Sequence, residues 1–541
     1  MEQLIQFYQS LEAWSDNVHW TFNLIVFLLV FIIVVAIRDL RNKKQTIKNN
    51  FPVVGHFRYM LETIGPELRQ YIVANNREEL PFHRSQRAWV YASSKSQNNL
   101  QGFGTDKDLY HPSHVFINPA MFPYPIRPNH INHKDPYFVP CAKVIGLSHQ
   151  RKKPYRPYSV VNISAMSYGS LSANAVMALN RGAMMAGCFH NTGEGGISPY
   201  HKQGADLCWQ IGTGYFGCRD EQGNFSMEKL LQTIEKTPTV KLIEIKLSQG
   251  AKPGKGGVLP AKKITPEIAE IRGVPLGKDV ISPAYHTAFS NVREMVDFIE
   301  QIAEKTGLPV GIKSAVGKME EWEELAEMMK ATNKGPDFIT IDGGEGGTGA
   351  APPAFADHVA LPFNYAFTDV YQVFLRHGLA QDVVFIGSAK LGFPAAALMA
   401  FSMGADMINV AREAMLSIGC IQAQVCHTNR CPAGVATQNK WLASGLDPAD
   451  KAVRFFNYSK TLRKEILEIT HACGYEHPCQ MTMRDVDVGN GGHGQTEALF
   501  ETYQYEKAII PFEGMHKLAE CPYLGGKSRE EGIKKYGAKK K

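Results

Sequence analysis

Phe338-Ile-Thr-Ile-Asp342-Gly-Gly-Glu-Gly-Gly-Thr-Gly349 is a short β-branched run that breaks into a glycine-rich loop holding Asp342 and Glu345. A strand buried on both faces reads as a near-continuous apolar run, and glycine at its end lets backbone approach a planar ring or a phosphate. The same pairing recurs outward from this stretch. Strands are expected near Ser159–Met166, Cys188–Asn191, Trp209–Gly212, Leu242–Leu247, Val310–Lys313, Phe338–Ile341, Val383–Ile386 and Met407–Val410. Helical patterns lie between several of them, among them Asn291–Lys305, Met319–Thr332 and Pro394–Met403. Alternating strands and helices specify βα units, and eight of them define a (βα)8 TIM barrel, the α/β fold expected here.

Such a barrel places its chemistry in the loops at the C-terminal ends of its strands. Polar and glycine-rich segments fall at those ends: Met166-Ser-Tyr-Gly-Ser170, Asn191-Thr-Gly-Glu-Gly-Gly196, Gln249-Gly-Ala-Lys-Pro-Gly-Lys-Gly-Gly257, Lys313-Ser314, the opening loop, and Gly387-Ser-Ala-Lys-Leu-Gly392. The last of these precedes a helix and reads as a phosphate loop, with the loop after Val410 as its neighbour; an ordinary βα turn is the plain alternative.

The chain has 541 residues, 44% hydrophobic and 20% charged, enough to bury one large catalytic domain with appendages. Its net charge of +6 is spread along the chain. That spread argues against a nucleic-acid groove, which gathers basic residues on one face. Of ten cysteines, seven stand singly with no disulfide-like spacing, which suits a reducing compartment.

Between Trp20 and Ile37 only Thr21 and Asn23 are polar. At 1.5 Å per residue such a helix reaches about 27 Å, close to the hydrocarbon thickness. Glu2, Glu12 and Asp16 precede it, and Arg38, Arg41, Lys43, Lys44 and Lys48 follow. That order fits a single-pass anchor in the cell membrane with the catalytic domain facing the cytoplasm, rather than a cleaved signal; a buried core helix is the bland alternative. The expected layout is therefore an extracytoplasmic segment 1–19, a transmembrane helix 20–37, a lead-in 38–158 wrapping the barrel and containing a helix near Tyr59–Asn75, the barrel 159–440, and a helical extension 441–541. The extension ends in a basic tail (Lys534, Lys535, Lys539, Lys540, Lys541) that is either solvated or touches anionic lipid.

Lys313 at a strand end needs a purpose such as a flavin edge or a substrate carboxylate, and Glu194 in its glycine frame could meet an amine; a structural ion pair serves equally for either. Cys420-x5-Cys426-His427-x3-Cys431-Pro432 puts three thiols in one loop. These suit an iron–sulfur cluster with three ligands. Zinc held by Cys420, Cys426, His427 and Cys431 is the rival, and three free thiols the plain alternative.

Taken together, residues from about Asn162 to Gln438 resemble the synthase domain of the FMN-binding glutamate synthase family. The likeness rests on Ser164-Ala-Met-Ser-Tyr-Gly-Ser170, Asn191-Thr-Gly-Glu-Gly-Gly196, Glu244-Ile-Lys-Leu-Ser-Gln-Gly-Ala-Lys-Pro-Gly254, Leu259-Pro-Ala-Lys-Lys-Ile-Thr-Pro-Glu267, Gly346-Gly-Thr-Gly-Ala350 and Cys426-His-Thr-Asn-Arg-Cys-Pro-Ala-Gly-Val-Ala-Thr-Gln438. It implies an oxidoreductase acting on CH–NH2 donors, with FMN over the barrel mouth and a [3Fe-4S] cluster on Cys420, Cys426 and Cys431. Ala165, Met166 and Ser167 would line the flavin ring, Gln210 and Lys313 its polar edge, and Gly346 and Gly347 the neighbouring loop. Gly387 and Ser388 would take the phosphate. Glu194, Gln249, Lys252 and Lys313 would surround a 2-oxo acid such as 2-oxoglutarate.

The sequence departs from that family in two places. The first cysteine is Cys141, so no glutaminase nucleophile is evident, and ammonia or an amine is expected from solution or a partner. Where the family has a small Gly-Thr-Ala turn, this chain has Ala411-Arg412-Glu413-Ala414, so Arg412 either clamps the phosphate bidentately or displaces the usual geometry. The expected electron donor is ferredoxin or a partner reductase. Two other readings stay open: a membrane dehydrogenase passing electrons from an amino or hydroxy acid to quinone, and a non-enzymatic scaffold with a structural zinc loop.

Overall fold

The computed structural model describes residues 1–41, 45–491 and 494–537. Lys43, Lys44, Lys539, Lys540 and Lys541 lie outside the described residues, as do the side chains of Glu2, Glu12 and Asp16. The chain divides into two units, Met1–Gln86 and Arg87–Lys541.

In the second unit, eight parallel strands close a barrel in sequence order: β1 Val161–Ile163, β2 His190–Asn191, β3 Leu207–Ile211, β4 Val240–Lys246, β5 Val310–Ser314, β6 Phe338–Asp342, β7 Val384–Ser388 and β8 Met407–Val410. Closure runs from Ile408 against Val161 to Val410 against Ile163. Every residue of β3, β5, β6, β7 and β8 is buried, which is why these segments read as continuous rather than alternating runs. All eight expected strands are present. β1 is shorter than the expected Ser159–Met166: at its start Ser159 and Val160 bond to Val139 of the lead-in instead, and past Ile163 only single bonds continue, from the Ser164 N–H to the Val410 carbonyl of β8 and from the Met166 N–H to the Asn191 carbonyl of β2. Helices Val292–Thr306, Glu320–Thr332 and Pro394–Met403 match their expected positions. The first starts where the Asn291 side chain accepts from the Glu294 N–H and stops at Gly307 in the left-handed region.

Residues 87–158 belong to this unit; the stretch from Cys141 to Tyr155 plugs the N-terminal end of the barrel, whereas Trp89 packs on Phe393 and the Tyr91 hydroxyl donates to the Cys420 carbonyl at the other end. Cys141, Ile145 and Tyr155 join one core cluster with Phe189, Cys208, Leu242, Phe338, Val384, Ile386 and Met407. The buried Lys143 ammonium donates to the carbonyls of Ala380 and Val383 at 2.7 and 2.8 Å and to Asp406 at 2.9 Å. Between β4 and β5 an insertion forms a two-stranded hairpin, Val258–Leu259 with Val280–Ile281, around the helix Pro266–Arg272. The C-terminal region is only partly the expected helical extension. Helix Pro448–Ala472 packs on Ala173–Ala186, where a Cβ at Gly182 would stand 2.8 Å from the Ala452 carbonyl. Strand Val486–Gly489, however, pairs antiparallel with Val115–Ile117 of the lead-in on one side and with Thr496–Ala498 on the other, the central strand of a three-stranded sheet.

In the first unit a single helix runs from Glu2 to Leu40, so the expected 1–19 segment is not separate from the apolar span. Its part from His19 to Leu40 is long and apolar enough to cross a membrane. The helix ends on Asp39, whose carboxylate accepts from the Val53 N–H at 2.9 Å and meets His56 Nε2 at 2.9 Å. The next long helix is Gly55–Leu68, starting before the expected Tyr59 and continuing through a wider turn at Arg69–Val73.

Candidate active site

The C-terminal strand ends and the insertion form a cleft lined by Ser167, Ser170, Glu194, Gln249, Lys252, Lys263, Arg272 and Cys426, among others.

Glu194 sits at its centre, in the loop after β2. Lys246, the last residue of β4, donates to Glu194 Oε1 at 2.8 Å and to Gln249 Oε1 at 2.6 Å. The strand end beneath Lys246 is fixed in turn. His286 Nε2–H donates to the Lys246 carbonyl at 2.9 Å, leaving Nδ1 to accept from the Tyr215 hydroxyl at 3.1 Å, and Tyr215 accepts from the Ala288 N–H. Burial would raise the pKa of Glu194, but Lys246, Arg272 and Lys252 outweigh it and hold the carboxyl below its ordinary range. Burial, then the charge of Lys246, lowers Lys252. Arg272 is pushed down to about 10 by burial, with Glu194 acting against it. Two glycines make room for this packing: a Cβ at Gly212 would lie 2.5 Å from Glu194 Oε2, and one at Gly195 would lie 2.7 Å from Arg272 Nη2. One carboxylate among three cations leaves the cleft positive, which favours an anionic ligand.

Beneath the mouth, inside the barrel, Glu244 is fully buried. Its Oε2 accepts from Asn191 and Gln210 at 2.7 and 2.6 Å, and its Oε1 from Thr340 at 2.7 Å. Above it Lys313 lies 3.3 Å from Asp342. Burial alone would lower the Lys313 pKa, but Asp342 and Glu244 carry it above its ordinary value. Gln210 thus points its amide into the barrel, and Lys313 stands at the floor of the mouth.

At the opposite end of the mouth, Ser388 Oγ is 3.5 Å from Ser164 Oγ. Gly387 is buried in β7, and a Cβ there would strike Leu391 and Phe363 at 2.7 and 2.8 Å, so close packing alone requires glycine. Arg412 lies against Gly347 and donates to the Glu345 carbonyl. Burial lowers Lys390, and the charge of Arg412 lowers it further, so two cations share this end. Within the expected phosphate loop, Gly392 N–H donates to the buried carboxylate of Glu413 at 3.1 Å. Ala165, Met166 and Ser167 follow β1 and Gly346 and Gly347 follow β6, as their loops predict.

The three cysteines follow helix Arg412–Ser417 in one loop docked on the loop after β1. Ser172 Oγ donates to the Gly434 carbonyl at 2.7 Å, and Gln438 Nε2 donates to the carbonyls of Gly169 and Leu171 at 3.1 and 2.8 Å. Burial, then Cys426 and Cys431, pushes Cys420 up to about 12, and burial raises Cys426 as well. Among the described residues no three His, Cys, Asp or Glu side chains converge closely enough to hold one metal ion. The zinc reading, which needs Cys420, Cys426, His427 and Cys431 around a single point, therefore finds no support.

Lys246, Arg272 and Glu244 escaped the sequence reading. Glu244 and Lys246 carried a usable signal: charged residues two apart in a buried strand face the barrel interior together. Arg272, at the end of a short helix in the insertion, carried none.

A closed barrel with a cationic cleft and a cysteine loop at its C-terminal mouth defines an α/β-barrel protein with a site suited to an anionic ligand. Residues 131–476 match the family model described as the conserved region in glutamate synthase. The glutamate synthase large subunit-like protein YerD of Bacillus subtilis (strain 168) is 40% identical over 495 residues, covering 86% of this chain and 94% of its own. The archaeal-type glutamate synthase [NADPH] of Thermotoga maritima is 35% identical over 58% of this chain and 59% of its own length. The archaeal glutamate synthase [NADPH] of Methanocaldococcus jannaschii is 34% identical, again over 58% and 59%. The chain belongs to the glutamate synthase family and is a glutamate synthase-like oxidoreductase, and this membership supports FMN as its cofactor.

Proposed function

We propose that this protein reductively aminates a 2-oxo acid of the 2-oxoglutarate type, using ammonia or an amine from solution or a partner chain. The observation that carries the reading is the cleft in which Lys252, Arg272 and Lys246 surround Glu194 beside the cysteine loop. The donor set fits FMN: Lys313 and Gln210 lie at the floor of the mouth, and Lys390, Arg412 and Ser388 at its far end suit a phosphate. Bound there, FMN supplies hydride chemistry. The chain's own residues do the rest. Lys252 and Arg272 are placed to pair with substrate carboxylates, and the cation of Lys313 favours negative charge at the floor of the mouth. Glu194 and Gln249, both held by Lys246, are placed to accept from the ammonia or amine and orient it.

Three thiols spread along one loop suit a [3Fe-4S] cluster, whose thiolates bind different irons, better than a single ion. They would hold the cluster through which ferredoxin or a partner reductase delivers electrons. The deciding test is anaerobic reduction of the purified holoprotein, then mixing with 2-oxo acids with and without ammonia. Reoxidation of the flavin by a 2-oxo acid is expected only with ammonia or an amine. Reoxidation by a quinone alone, with flavin reduction by an amino or hydroxy acid, would instead establish the dehydrogenase reading.

The helix His19–Leu40 is proposed to anchor the protein in the cell membrane with the catalytic unit on the cytoplasmic side, supported by its length and composition and by Arg38, Arg41 and Lys48 beside it. The full chain should sediment with membranes and resist carbonate extraction, whereas a chain starting at residue 45 should be released. Equal release of both sinks the anchor.

A further inference from the structure

The cysteine loop has a cation beside it that the chemistry of the cleft leaves without a task. Lys263 closes the turn Ala261–Lys263 in the insertion between β4 and β5 and is only 3% exposed. Its ammonium donates to the Ser170 carbonyl at 3.1 Å. Among the described residues no carboxylate pairs with it; the charged or chargeable groups around it are the Cys426 and Cys431 thiols and the exposed Lys262. A buried ammonium without a negative partner is expensive, so a fold that keeps one has an anion for it to meet.

The surroundings identify that anion. Asn429, between Cys426 and Cys431, donates from Nδ2 to the Lys262 carbonyl at 3.2 Å, which fastens the turn to the cysteine loop. On the other side Ser170 accepts from Ser167 Oγ at 3.0 Å, and Ser167 belongs to the loop expected along the flavin ring. Ser167, Ser170, Lys263 and Cys426 line one wall of the same cleft. Burial lowers the ammonium's pKa, and the two thiols act against that.

We propose that Lys263 is the fixed counter-charge of the iron–sulfur centre, standing between the cysteine loop and the barrel mouth and raising the cluster's reduction potential; this rests on the cluster assignment made above. A thiolate-ligated cluster becomes more negative when it takes an electron. A positive charge held in a site that water does not screen lowers the energy of that reduced state more than that of the oxidised one. The electron is then held at the edge of the mouth, next to the loop that reaches the flavin, rather than lost back to the donor. Lys263 acts on the cluster without ligating it.

The experiment is a redox titration of the cluster by EPR in anaerobically purified full-length holoprotein, comparing wild type with K263Q, K263R and the exposed-site control K262Q. At the wild-type midpoint, the ratio of reduced to oxidised cluster should fall about tenfold in K263Q, equivalent to 59 mV for a one-electron couple. K263R and K262Q should stay within about twofold of wild type. Loss of iron from K263Q but not from K263R also supports the counter-charge, since the charge and not the fold then decides retention. K263Q that keeps both its iron and the wild-type midpoint overturns the proposal alone. Wild-type protein that binds flavin but no iron overturns it together with the cluster assignment.

Discussion

Replacing Lys246 with methionine is expected to lower kcat/KM for 2-oxo acid reduction about 100-fold, the scale of a 1 Å misplacement of reacting groups. The ammonium is the shared donor of Glu194 and Gln249. Methionine keeps the stem and the packing but strands both acceptors, so the groups facing the nitrogen donor lose their fixed positions. The pH dependence separates this from a general loss of structure. In the wild type the depressed pKa of Glu194 makes its pairing a stabilising contribution complete above the unfolded carboxyl value of about 4.3 and lost as pH falls through the lower folded value. Without Lys246, burial dominates and the carboxyl titrates higher, so the acid limb of kcat/KM moves to higher pH. Lys246→Arg keeps the charge and should recover most of the activity and the original acid limb. A methionine variant whose pH profile superimposes on the wild type would remove Lys246 from the site.

The barrel was legible in the sequence because its strands are buried on both faces and cannot alternate, and because glycine clusters mark the loops that follow them. The ends of β1 are less legible: Ser159 and Val160 pair with Val139 of the distant lead-in, and past Ile163 the backbone keeps only single bonds to Val410 and Asn191, which no local pattern encodes. Glu194, Gln249, Lys252 and Lys313 were legible as polar residues in those loops, and all stand at the C-terminal mouth. Arg272 and Lys263 were not, since each acts through a fold of the insertion that brings residues distant in sequence over the mouth. The expected phosphate loop shows the limit of motif reading. Gly387 is glycine because Phe363 and Leu391 fill its space, and the Gly392 N–H that the motif offers to an anion donates to the carboxylate of Glu413, three positions past the end of β8.

Glu244→Leu is expected to cost about 3–5 kcal/mol of stability, because it keeps the side-chain volume while stranding buried partners. Asn191, Gln210 and Thr340 each lose their acceptor in the barrel interior, and Lys313 loses a negative neighbour. Such a loss is read as a lower urea midpoint for unfolding at neutral pH. Glu244→Gln tests what the carboxylate is for. Its carboxamide oxygen can face Asn191 and Gln210 while its NH2 donates to Thr340 Oγ, whose hydroxyl rotates to accept, so the cost should stay below about 1.5 kcal/mol. The charge is nevertheless gone. The raised pKa of Lys313 is a stabilising contribution fully present below the unfolded lysine value of about 10.4 and lost as pH rises through the higher folded value. Glu244→Gln removes part of it, so Lys313 deprotonates at lower pH and the basic limb of activity moves down with it. If the two variants were equally unstable, the charge would hold this layer of the barrel. A large gap between them, with the basic limb shifted in the glutamine variant, assigns stability to the three hydrogen bonds and the protonation of Lys313 to the charge.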